Sequence, residues 1–102
     1  MSTPTQQQYV PPKGHKILLE NERVRVLEVK IGPGDSSGMH NHPPCVIYAL
    51  DDARVRFILQ DGSSREVETK KGDTTWSDGG WHEVHNIGTT DDWGIIVELK
   101  TP

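Results

Sequence analysis

Glycine, proline and aspartate clusters interrupt this chain so often that no sustained helical period fits between them. Glu20-Asn21-Glu22, Gly32-Pro33-Gly34-Asp35, Asp51-Asp52, Asp61-Gly62, Gly72-Asp73 and Gly79-Gly80 are all turn signals. The segments between them are short and rich in Val, Ile, Leu and Thr. Arg23-Val24-Arg25-Val26-Leu27 alternates polar and apolar, the period of a half-buried strand. Asp61-Gly62 between Arg54–Gln60 and Arg65–Thr69 is a short hairpin signal. Further strands are expected at 16–20, 46–50, 74–76, 81–87 and 93–99. Eight or nine strands with turns roughly every 8–12 residues predict an all-β antiparallel sandwich or barrel.

Composition narrows the function classes. At 102 residues the chain fits one domain. We expect a flexible N-terminal arm over 1–14 and a single domain over 15–102. Eleven Lys and Arg against 15 Asp and Glu give a net charge of −4. With no basic cluster longer than Lys70-Lys71, a nucleic-acid site is disfavoured. The longest apolar run, Cys45 to Leu50, is far short of the roughly 20 residues that span a bilayer. The N-terminus lacks the basic start and apolar segment of a signal peptide. One cysteine makes no internal disulfide, in keeping with a reducing, cytoplasmic location.

Four of the five histidines fall in two tight pairs. His40 and His42 are two residues apart, so on a strand both project from one face and reach one ion. In the other pair, His82 shares a strand face with Val84 and Asn86, whereas His85 shares the opposite face with Trp81 and Glu83. Convergence of His40, His42 and His82 would make a facial triad of imidazole donors. Such donors suit Fe, Ni, Zn, Cu or Mn alike. A single His-x-His pair on an exposed strand is more often incidental. Here the flanking Gly-Pro-Gly and Pro43-Pro44 restrain the backbone. His82-Glu83-Val84-His85 is one residue short of the helical protease spacing and lies in poor helix context.

Gly34-Asp35-Ser36-Ser37-Gly38-Met39-His40-Asn41-His42 resembles the first cupin motif, a Gly, five residues and then His-x-His. Gly72-Asp73, then Gly80-Trp81-His82 and Asn86-Ile87-Gly88, resemble the second. The resemblance covers about residues 16–100 and implies an antiparallel double-stranded β-helix, a jelly-roll-like barrel. It also implies one divalent metal ion, with His40, His42 and His82 as ligands. The family's usual Glu ligand is absent: Val46 and Ile47 stand where it is expected. Val46 shares the parity of His42 and is placed facing the pocket. The second motif has Asp78 in place of its Pro and is one residue short. Three-histidine cupins resemble iron dioxygenases that cleave β-diketones or oxidise thiols. Loss of the carboxylate makes the site more positive, favouring an anionic substrate.

The remaining candidates divide. Tyr48 shares the parity of His42, which makes its hydroxyl the candidate catalytic group; a core tyrosine is the equal alternative. His85 is expected at the solvent face and His15 at the end of the arm, outside the site. Cys45 is either a soft ligand or, more commonly, a buried inert thiol. Trp76, Trp81 and Trp93 read as packing residues, Arg54 and Arg56 as a solvated face, and Asp51-Asp52 and Asp91-Asp92 as turn residues. The expected function is a metal-dependent, dioxygenase-type oxidoreductase acting on a small molecule. The alternatives are a non-catalytic binding cupin and a metal-dependent isomerase or lyase. The expected partners are a small-molecule ligand and a second copy in a homodimer, with neither nucleic acid nor membrane.

Overall fold

In Val24–Ile31 the side chains of Leu27, Val29 and Ile31 are buried while Lys30 is exposed, so the alternation becomes a strand with one face in the core. The same logic repeats along the chain. The computed structural model describes residues 9–100. These form β1 (His15–Glu20), β2 (Val24–Ile31), β3 (His40–His42), β4 (Cys45–Ala49) and β5 (Ala53–Leu59). They continue as β6 (Ser64–Thr69), β7 (Thr74–Ser77), β8 (Gly80–Asn86) and β9 (Asp92–Leu99). All pairings are antiparallel, in two sheets ordered β1-β2-β9-β4-β7 and β3-β8-β5-β6. The all-β expectation holds, and Asp61-Gly62 does turn β5 into β6. No helix among the described residues is long and apolar enough to cross a membrane.

The core lies between the sheets. Leu27, Val29, Ile31, Cys45 and Ile96 from the first sheet pack with Val55 and Val84 from the second. Removing this apolar surface from water is the main force that closes the two layers. Of the expected arm, residues 1–8 lie outside the described residues. Tyr9 packs against the core, with the Arg25 guanidinium 3.5 Å from its ring centroid.

Three sets of hydrogen bonds set the position of β3. The connection from β2 runs alongside β8: the Gly34 amide donates to Asn86 O (2.9 Å) and the Ser37 amide to Val84 O (3.0 Å). The Ser37 hydroxyl, itself buried, accepts from the Val84 amide (3.0 Å) and donates to Gly38 O (2.9 Å). Asn86 binds the far end, donating to Ile31 O and Thr90 O (both 2.8 Å) and accepting from the Gly88 amide (2.9 Å). The motif asparagine is therefore a structural clamp between β8, the end of β2 and the 88–90 loop.

Gly79 completes the arrangement. Its φ is +88°, and a Cβ there would collide with the His42 carbonyl oxygen and lie 2.8 Å from the Pro43 carbonyl carbon. Gly79→Ala should therefore destabilise the protein by at least about 1–3 kcal/mol from backbone conformation alone. It should also displace β3 from β8. Urea denaturation measures the first effect, and loss of the His40 and His82 chemical shifts of the native state the second; a neutral substitution would mean that the 79–80 turn is free to move.

Candidate metal centre

The zipped connection delivers His40 directly opposite His82, because these two residues are paired across β3 and β8. His42, two residues further along, projects from the same face. The Nε2 atoms of His40 and His42 lie 3.0 Å apart, and His82 Nε2 lies 3.2 Å from His40 Nε2. The structure thus brings the three expected histidines together. It adds a fourth, contrary to the expectation for His15. That residue opens β1, and its ring centroid is 5.2 Å from that of His40 and 5.5 Å from that of His42. Ligand atoms of His15, His40 and His42 all lie within 4.8 Å of one another.

The hydrogen bonds on the other ring nitrogens decide what faces inward. His40 Nδ1 donates to Gly38 O (2.8 Å), and His15 Nδ1 donates to Lys13 O (3.0 Å). His42 Nδ1 donates to Glu98 Oε2. A carbonyl or carboxylate oxygen only accepts, so each of these rings spends its one neutral-form N–H outward. The Nε2 atoms of His40 and His42 are left facing each other. Burial favours the neutral form of three rings: it pushes His82 and His15 down to about 4, and lowers His40. Two such nitrogens 3.0 Å apart are held by a shared proton or by an ion, and a metal about 2.1 Å from each spans that separation, so this donor set fits a metal ion.

Glu98 is the functional residue the sequence reading missed. It is 1% exposed, on β9 in the opposite sheet, and no carboxylate motif marks it. Its Oε2 accepts the His42 Nδ1–H and its Oε1 lies 3.5 Å from Arg25 Nη1. A carboxylate behind an imidazole fixes ring orientation and raises its basicity as a ligand.

His15, His40, His42 and His82 line one end of a cavity of about 470 Å³ between the sheets. From β4 it is lined by Cys45, Ile47 and Ala49. This corrects the parity drawn from His42: Tyr48 and Val46 lie outside the lining, and Tyr48 is 44% exposed. Pro43-Pro44 carries the chain from one sheet to the other, so the alternation restarts at Cys45. Tyr48 is thus not placed to act at the histidines. Burial pushes the Cys45 thiol up to about 11, leaving it protonated and unreactive. His85 stays on the outer face, where it contacts Glu83 at 3.0 Å. Trp76 and Trp81 are not packing residues but about half-exposed walls of the cavity. Asp92 is a β9 residue that lines the cavity, not a turn residue, and desolvation pushes it up to about 6.

Two outcomes follow from these buried charges. Glu98→Ala leaves the buried His42 N–H without its acceptor, while Arg25 keeps Glu20, and should cost about 3 kcal/mol in urea denaturation; Glu98→Gln, which retains an acceptor, should cost far less. Asp92 is raised from 3.8 to about 6 on folding, so its ionisation opposes folding as pH rises through that window. Asp92→Asn should therefore raise the melting temperature by several degrees at pH 8 and by almost nothing at pH 4. An equal effect at both values would show that the carboxyl group is not desolvated.

No family model matches the sequence, and no curated protein does. Solved structures do. A cupin domain from Bordetella pertussis Tohama I superposes with a TM-score of 0.79 at 24% identity, covering 93% of this chain and 100% of that one. A Klebsiella pneumoniae protein with a double-stranded β-helix domain gives 0.67 at 19%, covering 97% and 89%. The polyketide cyclase RemF of Streptomyces resistomycificus gives 0.62 at 21%, covering 88% and 68%. A predicted oxalate decarboxylase of Thermotoga maritima gives 0.56 at 26%, covering 83% and 78%. The chain has the cupin fold, a double-stranded β-helix with a histidine cluster at one end of its cavity.

Proposed function

We propose that this chain is a metal-dependent cupin enzyme acting on a small molecule, with one divalent ion held by His40 and His42 together with His82 and His15. The observation that carries this reading is the pair of Nε2 atoms facing each other at 3.0 Å, each ring turned inward by an acceptor on its Nδ1. When bound, the ion supplies Lewis-acid chemistry and, if it is iron, electron transfer to oxygen. The chain's own residues supply the rest. Glu98 aligns His42, and the neutral rings of His15, His40 and His82 leave their nitrogens free to ligate. The apolar walls from β4, β5 and β9 exclude water. Two chains of this fold are a polyketide cyclase and a predicted oxalate decarboxylase, which supports an enzyme on this scaffold.

Within that reading we favour oxidative, dioxygenase-type chemistry, because the clustered donors are all imidazoles and the nearby carboxylate is spent on His42. Metal analysis after loading with Fe, Ni, Zn or Mn should find one ion per chain. His40→Ala and His42→Ala should abolish tight binding, and Glu98→Gln should weaken it roughly 10–100-fold. Unchanged metal content in both alanine variants would sink the site. His15→Ala and His82→Ala should each weaken binding, and their comparison measures how much each ring contributes. Oxygen uptake by iron-loaded protein with β-diketones or thiols tests the oxidative chemistry; bound iron without uptake on any of them would favour Lewis-acid isomerase or lyase chemistry instead.

A further inference from the structure

The cavity contains a cation that the metal reading does not use. Arg65, Val67 and Thr69 occupy the cavity-facing positions of β6, on the wall beside β5. Arg25, outside the cavity lining, is committed to Glu20 and Glu98. Arg54 and Arg56 both hold Glu66 on the outer face of the same sheet. Arg65 has no carboxylate within ion-pair distance among the described residues. Its guanidinium carbon instead lies 5.8 Å from the Phe57 ring centroid. Phe57 in turn stacks on His82 at 5.3 Å with an interplanar angle of 29°.

These groups form a path: the histidine cluster, an aromatic floor and a guanidinium with unused donors. Around it stand Trp76 and Trp81, whose half-exposed indoles leave apolar surface in water. A guanidinium recognises a carboxylate through two parallel N–H bonds, and aromatic walls favour a flat apolar body. We propose that Arg65 is the anion-binding residue of this cavity, and that the natural ligand is a small monoanionic acid with an apolar, aromatic body. This deepens the functional reading above, since it assigns a ligand class to the same cavity. The histidine end would then meet the part of the molecule remote from the carboxylate bound to Arg65.

The test is calorimetric titration of wild type, Arg65→Gln and Arg65→Lys, each metal-loaded and each chelator-treated, with metal content measured in parallel. The probes are 3-phenylpropanoate and its neutral amide, 3-phenylpropanamide. Wild type should bind the acid at least about tenfold more tightly than the amide, the worth of one charge-assisted hydrogen bond. The preference should weaken as salt is raised, as for any partly exposed ion pair. Arg65→Gln should erase it and Arg65→Lys retain part of it, with metal content unchanged. Equal binding of acid and amide, no binding of either, or a preference that survives in Arg65→Gln would overturn the proposal. An Arg65-dependent preference in protein that takes up no metal would support Arg65 while removing the metal reading. Full metal content without that preference would overturn only the role of Arg65.

Discussion

The hydrogen bond from His42 to Glu98 joins the two sheets through the most protected polar contact of the site. Glu98 is buried on β9 and His42 on β3, so neither group is solvated by water. An ionised carboxylate in such a place is costly unless its lone pairs are satisfied. Here the imidazole N–H satisfies Oε2, while Oε1 has no hydrogen-bond partner among the described residues and is compensated only by the charge of the Arg25 guanidinium 3.5 Å away. Arg25 is covered in turn by the Tyr9 ring. A sequence of contacts thus runs from the outer strands of the first sheet, through a buried charge, to the nitrogen that faces the cavity.

That arrangement explains why a site without a carboxylate ligand still contains a carboxylate. Glu98 acts behind His42 rather than beside it, setting which nitrogen carries the proton. The Gly38 carbonyl does the same for His40, and the Lys13 carbonyl for His15. Three different acceptors on three different elements produce the same result. Each turns the other ring nitrogen inward, and for His15 and His40 burial favours the neutral ring.

Much of this was legible in the residues. Turn chemistry is local, so Asp61-Gly62 announced the β5–β6 hairpin without reference to the rest of the chain. The two-residue spacing of His40 and His42 fixed their common face as soon as the segment was a strand. His85 was separated from His82 by parity alone. The failures share one cause, which is that parity cannot be counted across a break. Tyr48 and Val46 were carried over from His42 through Pro43-Pro44, where the chain changes sheets and the count begins again. Glu98 was hidden in another way. Gly94-Ile95-Ile96-Val97 is apolar on both faces of β9, so alternation there does not say which side points inward.

The sequence by itself determined the class of fold, the strand order along the chain and the histidine pair at its centre, because backbone turns and side-chain alternation depend on near neighbours. Only the tertiary structure decided that His15 joins that pair, that Glu98 stands behind it and that Arg65 faces the same cavity. His15 and His42 are 27 positions apart and Glu98 lies a further 56 beyond His42, on strands brought together by sheet pairing and core burial. No local rule reaches across such separations. The closure of two apolar sheet faces against water does.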